Sequence, residues 1–177
     1  MQKKQKHFLS DYFTIIIVVV IAFAVRVYVL QDFSVNGVSM LPTLQNGEVV
    51  LANDLFFRFS GLTTGEIVVF QPPIPTQIFF IKRVIATQGE TISIKNGVVF
   101  LNGKVLPEPW EYVDGKSWLD HYNMNPVKVL PDHIFVMGDH RAASYDSRFF
   151  GQVNVAAVKG EVWFVLWPIS RFGFLQN

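Results

Sequence analysis

Cysteine is absent from the 177 residues. Its absence removes disulfides, thiolate nucleophiles and cysteine-held metals from consideration. It is compatible with a location outside a bacterial membrane but does not establish one. Histidine is scarce: His7, His121 and His133 lack metal-ligand spacing, no H-E-x-x-H run occurs, and no metal site is expected. No phosphate-binding glycine loop is present, and no cofactor is expected. Surplus charge is missing as well. The 15 Lys and Arg nearly balance the 14 Asp and Glu, so the overall field points to no nucleic acid and no acidic partner. No repeat and no low-complexity tract is visible.

What is present is mostly apolar. Half of the residues are hydrophobic, and 17 are Phe, a composition that favours extended, half-buried surfaces over a helical bundle. The length suits one compact domain plus an appended segment. Lys3, Lys4 and Lys6 precede an apolar run over residues 8–30, interrupted by Ser10, Asp11, Thr14 and Arg26. Its cleanest stretch, residues 12–25, is shorter than the roughly 20 residues of a spanning helix. Asp11 and Arg26 lie near its ends, where long stems carry charge to the interface. Three accounts compete: a membrane-spanning helix, a signal peptide cut after Ala22-Phe23-Ala24, and a buried soluble helix. Residues 15–21 are apolar on every side, which disfavours the buried helix. Val27, Tyr28, Val29 and Leu30 continue the apolar character past the cut, which favours a retained anchor. The expected organisation is a cytoplasmic segment over 1–7, a transmembrane anchor over 8–31, and an extracytoplasmic domain over 32–177.

Beyond residue 32 the pattern changes to short β-type runs with turn residues between them. Strands are predicted at 48–51, 66–70, 78–85, 91–95, 98–101, 128–130, 133–137 and 159–167. Asn96-Gly97 predicts a two-residue hairpin turn, and Asn102-Gly103 a second one. Residues 107–127 read as a long irregular insertion. The outer part is expected to be one mainly β, antiparallel domain.

Three segments carry chemistry. Ser39 lies in a bend set up by Gly37 and Pro42, the kind of bend a nucleophile needs if its oxygen is to be exposed among backbone N–H donors. An ordinary surface turn is the competing account, and composition alone favours it. Lys82 sits within the most apolar strand, on the side of Phe80 and Val84, with Arg83 on the other side. If that side is buried, the amine loses its proton more easily and can serve as a base. A strand end where Lys82 reaches solvent is equally open. Residues 137–151 pack charges and hydroxyls between two glycines, in a pattern that allows Asp–Arg pairs or a plain solvated loop. His140 follows Asp139 directly, which seldom yields a Ser–His–Asp arrangement.

Together these segments resemble the type I signal peptidases. Ser39-Met40-Leu41-Pro42-Thr43 resembles their S-M-x-P-T nucleophile box, and Ile81-Lys82-Arg83-Val84 is similar to their general-base box. Gly138-Asp139, Ser144, Asp146, Ser147, Arg148 and Gly151 match their G-D-N-R-x-x-S-x-D-S-R-x-x-G box in order and spacing. The resemblance runs from the N-terminal segment to about Gly151. It implies that Ser39 attacks the scissile carbonyl and Lys82 takes its proton. Ser144 would orient the Lys82 amine, Asp146 and Arg148 would pair with Arg83 nearby, and Met40 would sit beside the site. Phe33, Val35, Phe80 and Ile81 would shape the small-residue pockets, and the Ser39 N–H would be one oxyanion donor. The implied partners are secretory preproteins cut after A-x-A-like sequences, the lipid bilayer, and the secretion translocase.

Departures from the family pattern are specific. Gly37 stands where some bacterial members carry a serine donor, so no side chain there supplies a second oxyanion contact. This resembles the Gram-positive type, as does the short chain with one anchor. His140 replaces Asn, and residues 86–90 depart from the frequent G-x-P-G-D. Two other functions remain for comparison. A self-cleaving repressor-type Ser–Lys protease would need a DNA-binding helix pair and a cleavable linker, and neither is visible. A catalytically dead membrane partner would usually lack the Ser or the Lys.

Overall fold

The computed structural model describes residues 12–20, 30–112 and 121–175. Residues 12–20 form helix α1, whose apolar side chains are exposed. The remaining elements, in chain order, are β1 (Leu30–Ser34), β2 (Val49–Asn53), α2 (Phe56–Ser60), β3 (Ile67–Phe70) and β4 (Phe80–Ala86). Then come β5 (Thr91–Lys95), β6 (Val98–Leu101), β7 (Lys104–Val105), β8 (Met124–Lys128) and β9 (His133–Met137). The short helix α3 (Ser147–Phe150), β10 (Val153–Asn154), β11 (Val158–Trp167) and β12 (Gly173–Phe174) complete the chain.

Two antiparallel sheets result. The larger runs β1-β2-β11-β3-β4-β9-β10, with β12 added on β11, and the smaller runs β7-β6-β5-β8. The centre of the large sheet is buried on both faces. Ile67 and Val69 of β3 face one apolar cluster, while Val68 and Phe70 face another. A strand covered on both faces reads as a continuous apolar run, which is why residues 67–70 show no alternation. The mainly β, antiparallel expectation therefore holds for the domain.

The small sheet rests on its turns. Asn96 and Gly97 both have positive φ, 48° and 78°, the combination a two-residue hairpin turn requires. Asn102 and Gly103 repeat it at 52° and 80°. A third cluster, including Ile85, Ile92, Val99 and Phe135, joins this sheet to the large one.

Two expectations need correction. Leu30 and Gln31 pair with Asn53 and Ala52, so they belong to the sheet and not to an anchor reaching residue 31. The strand predicted at 128–130 lies instead at Met124–Lys128, inside the stretch read as irregular. Pro126 is tolerated there because β8 is, among the described residues, an edge strand paired with β5 alone. Among the described residues no helix is long and apolar enough to cross a membrane. Most of the expected anchor, including Ala22 to Ala24, lies outside the described residues.

Candidate active site

Ser39 stands on a turn whose base is closed by two backbone bonds, Val35 N–H to Glu48 O and Gly47 N–H to Val35 O, both 2.8 Å. Gly37 takes φ 103°, a conformation open to glycine, and its N–H donates to Asn46 Oδ1 at 2.8 Å. The Ser39 carbonyl is fixed by the His140 N–H at 3.1 Å. Met40 is buried beneath the turn in the cluster that also holds Val35 and Leu44.

Lys82 comes from β4, which runs through the middle of the large sheet. Its Nζ donates to Ser39 Oγ at 2.8 Å and to the Ile81 carbonyl at 3.0 Å. It also lies 5.3 Å above the Phe80 ring. The side chain is only 5% exposed. Burial disfavours the ammonium and lowers the Lys82 pKa from 10.5 to about 8. The charges of Asp146 and Asp139 oppose this shift, and that of Arg148 aids it, but burial outweighs them.

Strand alternation sends Arg83 to the opposite face. There its Nε and Nη2 donate to Asp139 at 2.9 and 2.8 Å, its Nη1 donates to the Gly65 carbonyl at 2.6 Å, and its plane lies on Trp110. Arg83 is thus the partner of Asp139. A second pair forms on its own: Arg148 Nε and Nη2 each donate to Asp146 at 2.8 Å. Asp146 also caps the N-terminus of α3 through the Arg148 N–H and accepts from the Gly138 N–H at 3.0 Å. Two buried carboxylates near the lysine are in this way each occupied by an arginine.

Ser144 departs from expectation. Its Oγ is buried and makes no hydrogen bond among the described residues. It lies against Gly138, where any Cβ would collide with it and with the Ser39 carbonyl oxygen. The lysine curls back to its own strand, so the Ile81 carbonyl takes the second bond expected of Ser144.

A cleft of about 380 Å³ opens beside Ser39 and Lys82. Val35, Phe80 and Ile81 line it together with Met40, and so do Phe79 and Tyr145, which the sequence reading passed over. Phe33 does not line it. That ring packs on the core and meets Phe79 edge-on at 5.7 Å, acting behind the cleft wall. Strand alternation places Phe33 and Val35 on one face, but only Val35 lies beside the turn where the wall begins. Residues 80–82 pair with β3 on one edge, while β9 pairs only from Arg83 onward. The chain beside the cleft therefore keeps one strand edge without a partner strand among the described residues. No group of His, Asp or Glu suited to a metal occurs among them.

Comparisons with known proteins point to one family. A family model described as signal peptidase, peptidase S26, matches residues 8–167. The chain is 33% identical over 168 residues to signal peptidase I of Bacillus caldolyticus, covering 89% of this chain and 91% of that protein. It is 33% identical over 186 residues to signal peptidase IB of Staphylococcus aureus, covering 98% and 96%. A crystal structure of a signal peptidase I from Enterococcus faecalis aligns with a TM-score of 0.49 at 25% identity, over 56% of this chain and 95% of that one.

Proposed function

Because the chain belongs to the S26 signal peptidase family and is a serine endopeptidase that removes signal peptides, we propose that Ser39 and Lys82 form its catalytic dyad. The observation that carries this reading is the 2.8 Å contact between Lys82 Nζ and Ser39 Oγ in a site that lowers the lysine pKa. A neutral amine takes the Ser39 proton as the oxygen attacks the scissile carbonyl, and the resulting ammonium returns a proton to the leaving amine. The Ser39 N–H, which forms no hydrogen bond within the described residues, is the donor for the developing oxyanion.

The preprotein lies as an extended strand along the unpaired edge of residues 80–82, a mode in which backbone bonds give affinity and pockets read alternate side chains. Val35, Met40, Phe80 and Ile81 narrow the cleft to small residues, consistent with A-x-A-like sites. Asp146, Arg148, Arg83 and Asp139 hold the frame and exchange no proton with substrate.

The domain works at a cell membrane, with the N-terminus cytoplasmic and the catalytic domain outside. This reading rests on the three lysines before the apolar run and on the exposed apolar side chains of α1. The bilayer and the secretion translocase are then its surroundings. The deciding experiment is cleavage of a purified preprotein, with N-terminal sequencing of the product. The intact protein is expected to cut after an A-x-A-like sequence, and the Ser39→Ala variant to leave the preprotein whole. Normal turnover by that variant would remove Ser39 from the chemistry.

A further inference from the structure

The loop that carries Ser39 encloses a charge. Glu48 has a side chain only 2% exposed, and its Oε2 accepts the Gln45 N–H at 2.9 Å. A carboxylate buried this deeply requires a compensating cation. The cation comes from the far end of the chain. Arg171 Nε lies 2.9 Å from Glu48 Oε1, off the line of a hydrogen bond, so the contact is one of charge. The same guanidinium donates through Nη2 to the Thr43 carbonyl at 2.8 Å. The Thr43 hydroxyl in turn donates to Asp139 Oδ2 at 2.5 Å. Thr43 is therefore held at both ends, by the buried Arg83–Asp139 pair on one side and by Arg171 on the other.

Arg171 reaches this position from a hairpin that stands without it. After β11 the chain turns through residues 168–171, and β12 pairs back with Phe164 opposite Phe174. Phe164 packs edge-on against Phe172 and Phe174 at 4.8 and 5.1 Å, and the Leu175 N–H donates to the Trp163 carbonyl. Neither Arg171 nor Thr43 lines the substrate cleft. The turn that carries Arg171, and β12 after it, follow the segment that the family model matches.

We propose that Arg171 is a positioning residue that fixes the nucleophile turn by neutralising Glu48 and anchoring the Thr43 carbonyl. The proposal rests on Ser39 as nucleophile. Its signature is loss of turnover without loss of substrate affinity, because the cleft walls stay intact while the Ser39 oxygen is less well aligned. Misplacement of a reacting group by about 1 Å costs roughly 100-fold in rate.

The test is steady-state cleavage of an A-x-A peptide by the full chain in detergent, with thermal unfolding of each variant. Arg171→Ala is expected to lower kcat by roughly 10- to 100-fold with KM close to that of the parent, assayed well below an unfolding midpoint that falls because Glu48 loses its cation. Arg171→Lys restores a charge beside Glu48 and is expected to recover part of kcat. Full kcat in Arg171→Ala, a change confined to KM, or a loss that follows the unfolding midpoint without recovery in the lysine variant each overturns the proposal. Ser39→Ala runs beside them. If it is inert while Arg171→Ala keeps full turnover, the clamp alone is wrong. If it is active, the nucleophile assignment falls and the clamp with it.

Discussion

Lys82 and Arg83 are neighbours on one strand, and the pleat gives them opposite fates. Lys82 turns toward Ser39 and is stripped of water, whereas Arg83 turns away and locks onto Asp139. The two facts are connected. A free carboxylate against the Lys82 amine would hold it protonated, and Asp139 and Asp146 both pull in that direction. Each is instead engaged by an arginine, at 2.8 Å in both cases, and burial decides the balance.

With the Lys82 pKa near 8, most of the amine is protonated at neutral pH and cannot accept a proton. The rate is expected to rise with pH, by about tenfold between pH 7 and pH 9, and then to level off. Lys82→Arg is expected to be inactive despite keeping its charge, because a guanidinium does not deprotonate in this range. A flat profile over that interval, or an active arginine variant, would assign the base to another group, with His140 the first to replace.

The same burial should reduce stability. The folded-state pKa lies below the unfolded value of 10.5, so the unfolded chain binds more protons between about pH 8 and pH 10.5. The unfavourable contribution is complete below pH 8 and relaxes as pH rises through that window. Lys82→Met, which fills similar space without charge, is expected to be inactive yet more stable by about 1–3 kcal/mol near pH 7, with the gain shrinking toward pH 10. Urea unfolding at the two pH values measures this. A variant less stable than the parent at pH 7 would contradict it.

Asp146 is fully buried and holds Arg148, the start of α3 and the Gly138 N–H together. Removing one partner of such a pair strands the other charge, at about 3–5 kcal/mol. Asp146→Asn is therefore expected to lose both stability and turnover, read by denaturant midpoint and peptide cleavage. Full stability with no activity would mean that Asp146 takes part directly in proton transfer.

Gly138 allows three groups to meet: the Ser144 side chain, the Ser39 carbonyl and its own backbone. Gly138→Ala places a methyl group where these already touch, so the turn must move. Loss of at least 10-fold in kcat is expected, with much of the fold retained by circular dichroism. Unchanged kcat would show that the Ser39 turn tolerates displacement at this point.

Topology is open to a direct check. In cells stripped of their wall, an added protease is expected to digest the catalytic domain from outside. A domain protected until the membrane is broken would reverse the orientation.

Local chemistry made much of this molecule legible in its sequence. The hairpin over 91–101 was readable to the residue because Asn96-Gly97 supplies two positive φ values, and the strand at 133–137 because it is short and uniformly apolar. The contact between Ser39 and Lys82 followed from family-like spacing and not from either segment alone. What stayed hidden depended on distant partners. Arg83 and Asp139 lie 56 positions apart, and nothing local distinguishes Asp139 from Asp146 as an arginine's partner. Arg171 is 128 positions from Thr43. The start of β1 was masked because Leu30 continues the apolar run before it, and β8 because Asn125-Pro126 resembles a loop wherever strand edges are unknown.

The pairing of β1 with β2 begins at Leu30 and continues without a break to Ser34, after which the buried Val35 hands the chain to the nucleophile turn. This stretch is a rigid stem and not a leash. Five strand residues advance roughly 13 Å at about 3.3 Å per step, and none of that length is slack. The Ser39 turn therefore keeps a fixed distance and direction from the start of β1. If the proposed anchor precedes Leu30, this stem would carry the height of its first residue to the active site without loss, and selection by distance would add to selection by side chain.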